Sequence, residues 1–169
     1  MKRMILVGTT YSGKTTLAQY LHNQKMVYRK TQAVQLFGKS IIDMPGEYLE
    51  LRALYRALIV TSVDADVVAL VQSAVEDKSM FAPEFASMFN KPTIGIVTKI
   101  DLASEKSIEN SIMRLELAGA ERIFRTSTIT GEGMEELAAY LADTDEAVSL
   151  VDRSRDNRES PDKRKERLA

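Results

Sequence analysis

Residues 8–15 read GTTYSGKT, a match to G-x-x-x-x-G-K-[ST] at every defined position. That pattern holds a polyphosphate, and each residue type has a physical reason to be there. Gly8 and Gly13 allow a tight turn. The peptide N–H groups of such a loop point inward and take phosphate oxygens. A helix starting near Lys14 adds the positive end of its dipole. Lys14 supplies a cation for the terminal phosphates, and the Thr15 hydroxyl supplies a hard oxygen for Mg²⁺. Thr9, Ser12 and Thr16 complete the set expected to surround the nucleotide. An ordinary glycine-rich turn does not need the apolar run Met4–Val7 before it or the helical pattern after it.

A second motif follows a short apolar strand. IIDMPGE at 41–47 places Asp43 three residues before Gly46, with Glu47 next. On its own D-x-x-G is equally well a Pro-Gly turn with a helix cap. A third motif, TKID at 98–101, follows the run TIGIV, and TST at 126–128 comes later. Taken in order, these stretches resemble the small P-loop GTPases. The resemblance implies that Asp43 helps to hold Mg²⁺ and that the Gly46 N–H meets a γ-phosphate oxygen. It implies that Asp101 pairs with guanine N1 and its 2-amino group, and that Lys99 packs along the base. Thr98 stands where Asn is commoner, and Thr126, Ser127 and Thr128 form the loop behind the base, with Thr128 in place of Ala. Thr31 is similarly placed to the switch threonine that caps the γ-phosphate and Mg²⁺; the plain alternative is a loop residue before a strand.

Glu47 occupies the position where several such enzymes carry the Gln that orients the attacking water. A carboxylate cannot donate a hydrogen bond as Gln does unless it is protonated, so slow hydrolysis is expected. Arg29, Lys30, Arg52 and Arg56 are the cations that could approach the phosphates, although a solvated surface role is the commoner fate of each. His22, the single histidine, is expected at the end of the first helix with no metal or triad role.

A narrower resemblance covers residues 1–141. KTQAV, DMPGEYLE, ADVVALV, IGIVTKIDLAS and LAGA are similar to the small P-loop proteins of the ethanolamine- and propanediol-utilisation operons of bacteria. DMPGEYLE is the most specific of these. Membership would imply a cytoplasmic protein associated with a bacterial microcompartment, with shell or enzyme proteins as partners. It also leaves the reaction open. One reading is a slow GTPase-like switch or assembly factor that binds GTP and GDP with Mg²⁺. Another is an ATP-dependent acetate kinase forming acetyl phosphate. A third is a non-catalytic nucleotide-binding scaffold. On these readings the residues that would act are Lys14, Thr31 and Glu47, with Thr15, Thr31 and Asp43 at the metal.

The elements that must position these residues are legible as alternation. Apolar, strand-like runs lie at Met4–Val7, Ala33–Phe37, Ser40–Ile42, Val67–Val71, Thr93–Val97 and Arg122–Thr126. Helical stripes lie at Lys14–His22, at Leu51, Leu54 and Leu58, at Ile108, Ile112 and Leu115, and at Met134, Leu137 and Leu141, with a weaker one over Phe81–Phe89. Gly38–Lys39 reads as a tight hairpin between the second and third strands. The pattern predicts a doubly wound, mostly parallel α/β sheet with one antiparallel edge strand, in the Ras-like GTPase topology. One nucleotide-binding domain is expected over 1–150, with a disordered charged tail over 151–169. Residues 152–169 carry seven basic and five acidic side chains and one large apolar residue, Leu168, too little to offset their ordering entropy.

Composition narrows the partners. The net charge of −1 gives no electrostatic case for nucleic acid or an anionic membrane. The absence of cysteine removes disulfides and thiolate metal sites. No run approaches the roughly 20 apolar residues of a membrane span, and Met4–Val7 is shorter than a signal-peptide core.

Overall fold

The first strand, β1 (Met4–Val7), is buried at every position. Its side chains alternate between two cores, Met4 and Leu6 into one, Ile5 and Val7 into the other. A strand apolar on both faces needs cover on both faces, and this dictates the rest of the architecture. The computed structural model describes residues 1–22, 35–37 and 40–142, and for 35–37 the backbone alone. The strands are β1, β2 (Gln35–Phe37), β3 (Ile41–Asp43), β4 (Val67–Ser73), β5 (Thr93–Thr98) and β6 (Arg122–Arg125). The helices are α1 (Lys14–Leu21), α2 (Glu47–Glu50), α3 (Tyr55–Ser62), α4 (Glu105–Leu117) and α5 (Met134–Leu141).

The sheet order is β2-β3-β1-β4-β5-β6. Five strands are parallel and β2 pairs antiparallel with β3 at the edge. This is the expected topology. One core packs Leu17 of α1 and Met134, Leu137 and Leu141 of α5 against β1, β4, β5 and β6. The other packs Leu58 of α3 and Ile108 and Leu115 of α4, with Phe81, Phe85 and Phe89, on the opposite face. Helices on both faces explain why the strands read as continuous apolar runs.

Two helical expectations are corrected. The stripe Leu51–Leu54–Leu58 is not one helix: α2 ends at Glu50, Leu51 is extended, and a 3₁₀ turn at Arg52–Leu54 leads into α3. Leu51 is consequently 55% exposed while Leu58 is buried. The expected helix over Phe81–Phe89 reduces to a 3₁₀ turn at Phe85–Met88. Pro83 disfavours helix at the residue before it, and Glu84 takes a left-handed conformation, φ 58°. The three Phe rings still meet edge-on, with centroids 5.3 and 5.7 Å apart. They satisfy the core without the helix.

Thr31, Arg29, Lys30, the Gly38–Lys39 hairpin and the segment 143–169 lie outside the described residues. Among the described residues no helix is long and apolar enough to cross a membrane.

Candidate functional site at the carboxyl edge of the sheet

Parallel strands end on the same side, so the loops leaving β1, β3, β4, β5 and β6 converge on one edge. All three sequence motifs leave the sheet there. Gly8 follows β1 where there is no room for a side chain: a Cβ would lie 2.5 Å from the Val71 carbonyl oxygen and 2.7 Å from Ser12 Oγ. Gly13 takes φ +97° and N-caps α1. Thr9 and Thr16 are half-buried on the loop and the first turn of α1, and Ser12 is fully buried.

The TKID motif is bolted to this loop. Thr98 Oγ1 donates to the Ser12 carbonyl at 2.5 Å, and Lys99 Nζ donates to the Tyr11 carbonyl at 2.7 Å. Tyr11 and Lys99 both take left-handed backbone, φ 65° and 59°. Strain on non-glycine residues at a ligand loop is typical of functional sites. Asp101 is exposed, with Oδ1 held at 2.8 Å by the hydroxyl of Ser127. The Ser127 hydroxyl in turn accepts from the N–H groups of Ile129 and Thr130 at 3.2 and 3.1 Å. Thr126 is turned inward, its hydroxyl donating to the Val97 carbonyl at 2.9 Å, so it builds the loop rather than facing a ligand. Thr128 is half-buried beside it.

The D-x-x-G motif lies on the other side of the loop. The Thr15 hydroxyl donates a very short hydrogen bond to Asp43 Oδ2, and Asp43 is fully buried. Gly46 is pressed onto the loop: a Cβ there would lie 2.1 Å from the Thr10 nitrogen. Glu47 begins α2 immediately after, which places it beside the loop. A hydroxyl and a carboxylate are the hard oxygen donors that suit Mg²⁺ when phosphate and water complete its shell. The donor set therefore fits that ion, and the tight seats of Gly8 and Gly46 fit a backbone cradle for phosphate.

Lys14 is buried and donates to the carbonyls of Gly8 and Thr9 at 2.9 and 2.7 Å and to Ser12 Oγ at 3.3 Å. Burial pulls its ammonium down to about 8, while the carboxylates of Asp43, Glu50 and Glu76 act in the opposite direction. Two of those carboxylates have no role that the sequence assigns: Glu50, which closes the stretch DMPGEYLE, and Glu76, which lies outside every motif. Glu50 Oε1 accepts from the Thr10 N–H at 2.9 Å. Glu76, on the loop after β4, accepts from the Thr9 hydroxyl at 3.2 Å, and burial raises its carboxyl against the opposing effects of that hydrogen bond, Lys99 and Lys14. Arg114 of α4 fixes this loop by donating to the carbonyls of Glu76 and, through a very short bond, Asp77. The signal that points to Glu76 is topological: β4 neighbours β1, so the residues after β4 must reach the loop after β1.

The family described as "Ethanolamine utilisation - propanediol utilisation" matches residues 1–143. The propanediol utilization protein PduV of Citrobacter freundii is 43% identical over 141 residues, covering 83% of this chain and 93% of that protein. The probable acetate kinase EutP of Escherichia coli K12 is 32% identical over 143 residues, covering 84% and 90%. The crystal structure of a point variant of Aquifex aeolicus Era bound to GDP·AlF4⁻ superposes with TM-score 0.57 at 20% identity, over 85% of this chain and 58% of that one. The last likeness establishes the P-loop GTPase fold. The first two establish descent: the chain belongs to the ethanolamine utilisation–propanediol utilisation family.

Proposed function

We propose that this member of the ethanolamine–propanediol utilisation family is a slow, Mg²⁺-dependent guanine-nucleotide switch or assembly factor acting in that pathway. The observation that carries the reading is the seating of Asp101. Its carboxylate is oriented by Ser127 while the residue remains exposed, and the neighbouring Lys99 ties the same loop to the phosphate loop. A fixed carboxylate accepts two donors from guanine, which adenine does not present. The base reader and the phosphate cradle are thus one connected unit.

In this reading Lys14 leaves the Gly8 and Thr9 carbonyls to neutralise phosphate. Gly46 contributes its N–H to the terminal phosphate and Thr31 caps it. Thr15 and Asp43 would hold Mg²⁺, which, when bound, neutralises charge on the phosphates. Glu47 stands by the terminal phosphate but lacks the donor that orients water, which makes turnover slow. Microcompartment shell or enzyme proteins are the partners that the pathway suggests. A calorimetric panel of GTP, GDP, ATP and ADP with and without Mg²⁺ tests the reading. Equal affinity for guanine and adenine nucleotides would overturn it.

A second reading is supported by the 32% identity to a protein named a probable acetate kinase. It makes the chain an ATP-dependent phosphotransferase with a small carboxylate as acceptor. The carboxylates of Asp43, Glu50 and Glu76 around Lys14 oppose an anionic acceptor, so we rank it second. A hydroxylamine trap for acetyl phosphate decides it, with Lys14→Ala as control; absence of a Lys14-dependent product removes this reading.

A further inference from the structure

The phosphate loop already holds an anion, and that anion belongs to the protein. We propose that Glu50 is an internal stand-in for nucleotide phosphate, a carboxylate that occupies the loop until nucleotide displaces it. The proposal rests on the nucleotide-binding reading above.

Three observations carry it. First, the Thr10 N–H belongs to the loop whose amides would take phosphate oxygens, and it donates to Glu50 Oε1 at 2.9 Å across 40 residues of sequence. A carboxylate offers a backbone amide the same charge-assisted bond that a phosphate oxygen does. Second, the contact brings an element with it. Gly46 sits so close that a Cβ would lie 2.1 Å from the Thr10 nitrogen and 2.5 Å from its hydroxyl oxygen, so the start of α2 is pressed onto the same residue that its last residue bonds. Third, the closed arrangement is not fully satisfied. Thr10 Oγ1 is buried with no hydrogen-bond partner among the described residues. Burying a hydroxyl without a partner is unfavourable, and opening releases it to water or to ligand.

The consequence is mechanical. Glu47 and Glu50 are three residues apart in α2 and therefore on one face of it. Withdrawing the Glu50 carboxylate from Thr10 releases one of the two points at which the turn carrying Glu47 meets that residue, the other being Gly46. Nucleotide entry is thereby linked to the position of the residue next to the terminal phosphate. The bound state competes with the internally closed one, so apparent affinity is reduced by the fraction of molecules that are open. Sequence spacing does not reveal this: Glu50 closes the stretch DMPGEYLE, but nothing in that stretch shows that its carboxylate reaches the Thr10 N–H.

The test is nucleotide affinity of the full-length chain, wild type against Glu50→Ala and Glu50→Gln, using Mg²⁺–GTP and GDP, with amide hydrogen exchange at Thr10 in the nucleotide-free protein. Both variants should bind more tightly, Glu50→Ala by about three- to tenfold and Glu50→Gln by less, because the amide keeps an acceptor but loses the charge. Thr10 exchange should be slow in wild type and faster in Glu50→Ala. Unchanged or weaker affinity in folded variants, or Thr10 exchange indifferent to residue 50, overturns the proposal while leaving nucleotide binding intact. If Glu50→Ala does not fold, Glu50→Gln alone decides by the same affinity criterion. If wild type and variants all fail to bind any nucleotide, the underlying reading falls and this inference falls with it.

Discussion

The Thr15 hydroxyl donates to the Asp43 carboxylate, joining the end of the phosphate loop to the end of β3 across 28 residues of sequence. Both groups are buried, and together they form the oxygen pair suited to Mg²⁺. Replacing Asp43 with Ala should leave a folded protein in which nucleoside triphosphate affinity no longer depends on Mg²⁺. In wild type, chelation by EDTA should weaken triphosphate binding by about tenfold or more, of the size expected when one strong charge-assisted interaction is lost. Calorimetry with and without Mg²⁺ on both proteins checks this. An unchanged Mg²⁺ response in Asp43→Ala would remove Asp43 from the metal.

Lys14 gives a pH prediction. Burial pulls the pKa of its ammonium down to about 8, against the opposing charges of Asp43, Glu50 and Glu76. Phosphate charges favour the ammonium, so the pKa in the complex is higher than in the free protein. As pH rises, the free protein therefore loses its proton first, and binding must take one up. Nucleotide affinity should fall as pH rises through about 8, by up to tenfold per pH unit until the pKa of the complex is reached. Calorimetry in buffers of different ionisation heat should register proton uptake, and Lys14→Arg should abolish the slope. A flat profile between about pH 7 and pH 9 would contradict the assignment.

Asp101 should govern base choice. Asp101→Asn replaces one acceptor with a donor, which mismatches the 2-amino group of guanine and matches the 2-carbonyl of xanthine. Guanine nucleotide affinity should drop by about ten- to a hundredfold, the loss of roughly 1.5–3 kcal/mol expected for a charged hydrogen bond, and xanthine nucleotides should bind in compensation. Competition titration with the two base types reads this directly. No exchange of preference would mean that Asp101 does not face the base.

Gly133 tests the scaffold behind Asp101. It takes φ +73°, and a Cβ there would lie 1.7 Å from the Arg125 carbonyl oxygen. Gly133→Ala must push apart the loop that carries Ser127. We expect a loss of about 1–3 kcal/mol in stability, the usual cost of overpacking, together with weaker guanine discrimination. Denaturant melts combined with the nucleotide panel measure both effects. A variant as stable as wild type would show that the loop yields freely.

Glu47→Gln supplies a donor at the position that the proposed reading sets beside the terminal phosphate. Turnover should change by about threefold or more while nucleotide Kd stays within about twofold, the pattern of a group that acts in the transition state and not in ground-state binding. Loss of binding in this variant would place Glu47 elsewhere.

Much of the fold was legible because apolar strands in a doubly covered parallel sheet read as continuous runs. Met4–Val7 appears at its expected bounds, and Thr93–Val97 is extended by one residue to Thr98. The misreadings share a cause. Leu51 and the Phe81–Phe89 segment have helical spacing, but the Phe side chains reach the core from turns and Leu51 faces solvent. Glu84 in left-handed backbone and extended Leu51 break the helices that the spacing suggests.

The motifs Gly8–Thr15, Asp43–Gly46 and Thr98–Asp101 were determined by sequence alone, because each is a run of backbone and side chains that works within a few residues of itself. Tertiary structure decided how they meet. It placed Thr98 on the Ser12 carbonyl, Lys99 on the Tyr11 carbonyl and Ser127 on Asp101. It also brought in Glu50, to which the stretch DMPGEYLE gives no role, and Glu76, which carries no motif; they lie 40 and 67 residues from the loop atoms they bond. Contacts of that range depend on strand order. Only the order β3-β1-β4 brings the chain after β3 and the chain after β4 to opposite sides of the loop after β1. Local spacing cannot encode that convergence.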